Sequence, residues 1–174
     1  WDVEWTKKEI EESTNNIGNI NDKQSNIIIC HHKNDWEKYK EIYKDDNTKI
    51  FYYNPHHANP EIFKSLVNEI ENKKIDILLS GVAKPKHYPL KYRLFNIILK
   101  NKDTTLKKYN IYHHQHPGYN NSTNFLNVNQ IEYNKLINNS KICIACTSKY
   151  NYRLGKYVEI AMAGSLICGD LPYE

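Results

Sequence analysis

Short β-branched runs alternate along this chain with longer amphipathic stretches, and this alternation constrains the fold more than any other feature. Apolar runs bounded by turn residues indicate strands, and apolar residues spaced three and four apart indicate helices. Their alternation predicts an α/β fold with a Rossmann-like, mostly parallel sheet and helices on both faces. Strands are predicted at 27–30, 49–53, 76–80, 111–113, 142–146 and 166–168, and helices at 35–43, 60–72, 89–99, 129–138 and 153–163.

The helix predicted at 60–72 has the clearest start signal in the chain. Asn59 stands before Pro60, and proline is favoured in the first turn of a helix. The apolar residues that follow share one face at helical spacing, namely Ile62, Phe63, Leu66, Val67 and Ile70.

A domain boundary is predicted near residue 60, because the segment NPHHANP at 54–60 interrupts the alternation. Residues 1–60 are expected to be the tail of a preceding domain with its linker, and residues 61–174 a Rossmann-like domain. The chain lacks an initial Met and stops directly after an apolar run, so both ends are expected to be cut from something longer. The second domain is therefore expected to be truncated at its C-terminus.

Composition excludes several classes of function. Hydrophobic residues make up 40% and charged residues 25%, which is ordinary for a globular protein, and the mean hydropathy of -0.76 reflects abundant Asn, Lys and Tyr. A net charge of +4 is too small for a nucleic-acid footprint, and no apolar run approaches the ~20 residues of a membrane span. The cysteines, Cys30, Cys143, Cys146 and Cys168, lie in apolar runs, which favours a reducing, cytoplasmic location.

Cations follow the strand that ends near Ser80. Gly81 comes directly after it, and Lys84 and Arg93 follow. In an open α/β sheet, ligands bind outside the carboxyl ends of the strands, so this segment predicts a site for a phosphate or diphosphate. The alternative is a tight turn with solvated lysines.

The loop HHQHPGY at 113–119 follows the next predicted strand. Its Pro-Gly pair predicts a sharp turn that brings backbone amides and carbonyls close to the sheet edge. His116 and Gly118 are therefore candidates for reading the edge of a nucleotide base.

The segment from Ser148 to Asp170 is the most informative part of the sequence. Lys156 and Glu159 are three residues apart and thus lie on one face of the predicted helix. A carboxylate there can accept both hydroxyls of a ribose, while Arg153 and Lys156 can reach a diphosphate. The alternative is an ordinary helix with a Lys156–Glu159 salt bridge and a C-terminal glycine.

At this point the chain resembles a known family. KYVEIAMAGSLICGDLP at 156–172 resembles the donor-binding motif of GT-B glycosyltransferases of the group-1 type. In the family's order, YYNPHHANPEIF at 52–63 is similar to the interdomain segment, KIDILLSG at 74–81 to the first strand of the C-terminal domain, and KPKHYPLKYRL at 84–94 to the next loop and helix. HPGY at 116–119 fits a branch found in giant viruses and AT-rich genomes. The resemblance covers roughly residues 50–174.

This resemblance implies a metal-independent transferase that moves a sugar from a nucleotide-diphosphate sugar to an unknown glycan, protein or lipid acceptor. Residues 1–60 would then be the tail of the acceptor-side domain, and no cofactor is implied beyond the donor itself. A glutamate that many members carry eight residues before the position of Glu159 is Asn151 here. No catalytic residue can be named from the resemblance.

The resemblance also implies roles for individual residues. Glu159 would hold the donor ribose, and Gly164 and Ser165 would approach the phosphates or the sugar. Arg153 and Lys156 would neutralise the leaving diphosphate, with Gly81 and Lys84 on its other side. The donor site is expected to include further residues: Arg93, His116, Gly118, Ser148 and Tyr152.

Two other functions remain open on the sequence. One is a non-catalytic Rossmann-like module that binds a nucleotide or a partner. The other is a metal-dependent hydrolase, because seven of the eight histidines cluster behind predicted strands at 31–32, 56–57 and 113–116. No acidic residue stands beside any cluster in a recognisable ligand motif.

Overall fold

The computed structural model describes residues 26–67, 69–114 and 130–172. The chain divides into two compact units between His56 and His57, whereas the sequence places the boundary at residue 60. Both units consist of parallel strands and helices, which confirms the predicted α/β class. Within these ranges, no helix is both long enough and apolar enough to cross a bilayer.

The first unit contains two parallel strands and one helix. Strand β1 (Asn26–Cys30) pairs with β2 (Lys49–Tyr53), and helix α1 (Lys33–Ile42) connects them. Cys30 and Tyr39 form its small core, and the indole N–H of Trp36 donates to the carbonyl oxygen of Phe51 at 3.1 Å. The helix thus packs on one face of the strand pair.

The second unit contains a four-stranded parallel sheet in the order β4-β3-β5-β6. Its strands are β3 (Ile75–Ser80), β4 (Ile111–His114), β5 (Ser140–Ile144) and β6 (Leu166–Cys168). Its helices are α2 (Pro89–Asn101), α3 (Gln130–Asn138) and α4 (Gly155–Met162). The first strand of this unit is central, and the chain adds strands on either side of it.

Helices cover both faces of the larger sheet, as the sequence predicts. Leu79 and Ile144 face helix α2, where they pack with Phe95. On the opposite face, Leu78 packs with Ile137 of α3 and Ile160 of α4, and both isoleucines are fully buried. Alternating residues of each buried strand therefore supply two separate cores.

The prediction of a helix at 60–72 is wrong. The N–H groups of Ile62 and Phe63 donate to the carbonyl oxygen of Asn59, but the chain continues irregularly. Of the residues described in this segment, only Ile70–Asn72 forms a short 3-10 turn. The cause is the buried amide of Asn138, which accepts the N–H of Leu66 at 2.6 Å and donates to the carbonyl of Lys64 at 2.9 Å. These bonds occupy the backbone groups that a helix would use for its own ladder.

Candidate functional site

The carboxyl edge of the larger sheet contains a point at which the chain leaves neighbouring strands in opposite directions. Strands β3 and β5 are adjacent; the chain continues from β3 to α2 on one face and from β5 to α4 on the other. Such a switch point opens a crevice outside the strand ends, and open α/β sheets bind their ligands there. We call this region the switch-point site; it contains Gly81, Lys91, Tyr133 and Lys156.

Gly81 lies at the centre of the switch-point site, directly after β3. Its φ of +79° falls in the left-handed region, which glycine adopts without steric cost. A Cβ placed on Gly81 would lie 2.9 Å from Cε of Lys156 and 3.1 Å from Nζ of Lys91. The absence of a side chain therefore lets two lysine side chains approach the same stretch of backbone.

Lys91 is a buried cation in the first turn of α2, with 3% of its surface exposed. Its ammonium lies 5.5 Å from the ring centroid of Phe95 and 6.0 Å from that of Tyr88. Burial, with a smaller contribution from the nearby Lys156 ammonium, lowers the pKa of Lys91 to about 8. Within the residues that the structure describes, no carboxylate forms an ion pair with it.

Lys156 approaches from the other side, in the first turn of α4. Its ammonium donates a hydrogen bond to the phenol oxygen of Tyr133 at 2.6 Å and lies 4.2 Å from that ring's centroid. The Lys156–Glu159 salt bridge considered above is not among the ion pairs of the described ranges. The ammonium of Lys156 therefore lies in the switch-point site and does not pair with a carboxylate of its own helix.

Both lysines occupy positions that are unfavourable for the helices themselves. The N-terminus of a helix has a partial positive charge, so a lysine in the first turn costs stability where an acidic residue would add it. Lys91 and Lys156 lie in the first turns of the two helices that begin at this edge. The positive helix ends and the two ammonium groups together make the site complementary to an anion.

Asp170 lies two residues after the end of β6, and its carboxylate is engaged by groups other than the two lysines. The carboxylate of Asp170 accepts hydrogen bonds from the N–H of Thr147 at 2.8 Å, from its hydroxyl at 2.5 Å and from the phenol of Tyr157 at 3.1 Å. Burial raises the pKa of Asp170, but these hydrogen bonds outweigh it and hold the pKa below its ordinary value. Asp170 is thus an ionised structural acceptor that ties the end of β6 to that of β5.

Glu159 lies one turn after Lys156 in α4 and is half-buried. Burial raises its pKa, and the positive charge of Lys156 opposes this rise. A partly desolvated carboxylate beside a cationic site is a strong acceptor for hydroxyl groups. Glu159 is the fifth of the eight residues of α4, and the charge of Lys156, one turn before it, acts on its carboxylate.

Gly164 and Ser165 lie at the opposite edge of the sheet, so the structure does not bring them to the switch-point site. The hydroxyl of Ser165 donates to the carbonyls of Ile137 and Ser140 and lies 3.3 Å from the buried ammonium of Lys73. Helix α4 begins at the carboxyl edge and ends at the amino edge, which separates Ser165 from Lys156. The role expected for Gly164 and Ser165 at the donor phosphates or sugar stays a prediction, and these two residues are not part of the switch-point site.

The remaining predicted residues have varied positions. Lys84 and Arg93 are exposed, and Arg93 lies two residues from Lys91 and so on a different side of α2.

The segment before α4 contains three more of the predicted residues. The hydroxyl of Ser148 accepts the N–H of Tyr150 in a turn, in which Asn151 adopts a left-handed φ of 60°. Tyr152 is buried and stacks on Tyr150, Arg153 is half-buried, and His116 and Gly118 lie outside the described residues.

Sequence reasoning missed Lys91 and Tyr133. A signal for Lys91 was present, because it continues the apolar stripe of α2 formed by Leu94, Phe95 and Ile98. A lysine on such a stripe has its charge inside the domain rather than in solvent. Tyr133 gives no comparable signal, since an aromatic residue on the packed face of a helix is ordinary core.

The histidines of the first unit gather at the carboxyl end of its two strands. The rings of His31 and His56 stack at 4.9 Å with an interplanar angle of 15°, and His32 meets His56 edge-on at 5.3 Å. Stacked imidazoles direct their ring nitrogens sideways, whereas metal ligands direct them at one point. In the described ranges, no group of three or more His, Cys, Asp or Glu side chains is arranged to hold a metal ion.

The cysteines of the CxxC sequence lie in different cores. Cys143 packs with Leu78 and Ile160, whereas Cys146 packs on the other face with Leu79 and Phe95. Burial raises the pKa of each thiol to about 11. They are therefore two buried apolar residues and not a redox or zinc pair.

The low pKa of Lys91 predicts a pH dependence of stability. The unfolded chain holds the proton of the Lys91 ammonium up to about pH 10, whereas the folded chain releases it at about pH 8. The free-energy cost of burying the charged ammonium is therefore present below pH 8 and disappears as the pH rises from about 8 to about 10. We expect Lys91→Met to be more stable than wild type by up to ~3 kcal/mol at pH 7, with the difference shrinking towards pH 10. Urea unfolding at several pH values measures it; a difference independent of pH would contradict this origin.

Comparisons of the chain with protein families, with curated proteins and with solved structures find no match. The glycosyltransferase function is therefore a proposal, which is argued from the sequence resemblance and from the chemistry of the switch-point site.

Proposed function

We propose that the larger unit binds the diphosphate of a nucleotide-diphosphate sugar at the switch-point site, as the donor domain of a glycosyltransferase. The observation that supports this most directly is the pair of lysines, Lys91 and Lys156, against the bare backbone of Gly81. Two cations that share one crevice repel each other, and a diphosphate placed between them would relieve the repulsion.

The same geometry suits the chemistry of sugar transfer. When the bond between the anomeric carbon and the phosphate oxygen breaks, its electron pair stays on the leaving nucleoside diphosphate. Negative charge therefore grows where Lys91 and Lys156 lie, and fixed cations in a partly desolvated site stabilise it without reorganising. The acceptor oxygen forms the new bond to the sugar and loses its proton to a base that we do not assign.

Glu159 extends the proposal from the diphosphate to the nucleoside. Its carboxylate is half-buried one helical turn after Lys156, and we expect it to accept the hydroxyls of a ribose attached to the diphosphate. A phosphate-binding site without a ribose acceptor would serve many ligands, whereas the lysines and Glu159 together favour a nucleotide.

A Glu159→Gln variant tests the nucleoside part of the ligand separately from the diphosphate part. We expect its affinity for the best bound of UDP, GDP and ADP to fall about tenfold, because the amide accepts hydroxyl hydrogen bonds less strongly than a carboxylate. Its affinity for inorganic pyrophosphate, which has no ribose, should be unchanged or slightly higher. Isothermal titration calorimetry measures both, and Glu132→Gln, which removes an exposed carboxylate on α3, is the matched control.

Equal affinities of wild type and Glu159→Gln for all three nucleotides would overturn the role of Glu159 at the ribose. Equal losses for pyrophosphate and nucleotide would show that Glu159 acts on the lysines rather than on the nucleoside.

A further inference from the structure

Tyr133 connects Lys156 to the end of β3 at the switch-point site, because its phenol oxygen contacts both. The oxygen lies 2.6 Å from Nζ of Lys156 and 3.0 Å from Oγ of Ser80. An ammonium group can only donate, so the phenol oxygen accepts from Lys156, whereas either hydroxyl can donate in the bond between Tyr133 and Ser80. The result is a continuous chain of hydrogen bonds that joins Lys156, Tyr133 and Ser80.

Two members of this chain, Ser80 and Tyr133, are fixed by packing. Ser80 has 1% of its surface exposed and directly precedes Gly81, and the ring of Tyr133 meets Phe63 edge-on at 6.4 Å. Tyr133 lies on α3, whereas Lys156 lies on α4. Tyr133 therefore links the long side chain of Lys156, on another helix, to the buried end of β3.

This attachment opposes the repulsion between the two cations. Without a ligand, Lys156 would lower its energy by turning away from the Lys91 ammonium towards water, since a lysine side chain has four rotatable bonds. The phenol oxygen and the face of the ring hold its ammonium beside Gly81 instead. A cation that is already in place costs less entropy to engage when the anion arrives.

We propose that Tyr133 is a positioning residue that holds Lys156 beside Lys91 and so preorganises the site for a diphosphate, an inference that rests on the proposed function. Tyr133 itself need not contact the ligand. Its effect on binding therefore passes through Lys156, which distinguishes it from a residue that only supports the fold.

A double-mutant cycle tests this coupling with inorganic pyrophosphate as the probe. Tyr133→Phe keeps the ring, its contact with Phe63 and its face towards Lys156, and removes only the phenol oxygen. We expect this variant to bind pyrophosphate about 3- to 10-fold more weakly than wild type. In a Lys156→Met background the same substitution should change the affinity less than about twofold, because the group it positions is gone.

Tyr109→Phe, which removes an exposed phenol, is the matched control and should bind as wild type does. Equal losses from Tyr133→Phe in both backgrounds would overturn the inference and leave the proposed function intact. Failure of the wild-type chain to bind pyrophosphate would overturn the proposed function and the inference together. If Tyr133→Phe unfolds because Ser80 loses its partner, the cycle is measured in a Ser80→Ala background, with the same expected coupling and the same contradicting result.

Discussion

Lys91→Met is expected to bind inorganic pyrophosphate about 10- to 100-fold more weakly than the wild-type chain, the largest loss we predict for a single side chain. The ammonium of Lys91 is buried, and no carboxylate is paired with it among the described residues. A desolvated cation interacts strongly with an entering anion, and methionine fills the same space without the charge. Isothermal titration calorimetry at pH 7 and low salt measures the difference.

The matched control is Lys100→Met, which removes an exposed lysine from the last turn of the same helix. It changes the net charge of the protein by the same amount, and its affinity for pyrophosphate should stay within about twofold of wild type. Similar losses in both variants would mean that general charge attracts the anion and that the switch-point site does not. The combination of weaker binding with higher stability in Lys91→Met is specific to a buried binding cation.

Gly169→Ala is expected to lower the free energy of unfolding by about 3–5 kcal/mol or to prevent folding. A Cβ on Gly169 would lie 1.7 Å from the carbonyl oxygen of Ala145 and 2.8 Å from its carbonyl carbon. Both atoms belong to backbone at the end of β5, where the N–H of Ala145 donates to the carbonyl of Cys168 at 3.1 Å. The clash therefore cannot be relieved by rotating a side chain, and it would also displace Asp170 from Thr147.

Cys168→Ala is the control for this substitution, because Cys168 is exposed and directly precedes Gly169. Its unfolding free energy should stay within about 0.5 kcal/mol of wild type. Urea unfolding followed by circular dichroism measures both variants. A Gly169→Ala protein as stable as wild type would contradict the close approach of β6 to the end of β5.

The strands could be predicted from the sequence because each is a short apolar run between turn residues. The same reasoning failed at 60–72, where the start signal at Asn59 and Pro60 is real but extends only one turn. The reason lies far along the chain, in the buried amide of Asn138 that binds the backbone at Lys64 and Leu66. A local pattern contains no information about a partner that distant in sequence.

The candidate site was only partly predictable. Gly81 and Lys156 could be found because glycine after a strand and cations near a helix start are local signals. Ser165 lies apart from Lys156, which sequence separation alone does not reveal, because α4 takes the chain from one edge of the sheet to the other. Lys91 was passed over because the exposed lysines beside it, Lys84 and Lys86, look the same in sequence.

The donor site at Gly81 is tested by titrating the wild-type chain with UDP, GDP, ADP and CMP, each beside its nucleoside. One nucleoside diphosphate is expected to bind at least about tenfold more tightly than its nucleoside, because the diphosphate meets Lys91 and Lys156. Raising the salt concentration is expected to weaken this binding. Absence of binding by all three diphosphates, or equal affinity for a diphosphate and its nucleoside, would contradict a donor site at Gly81.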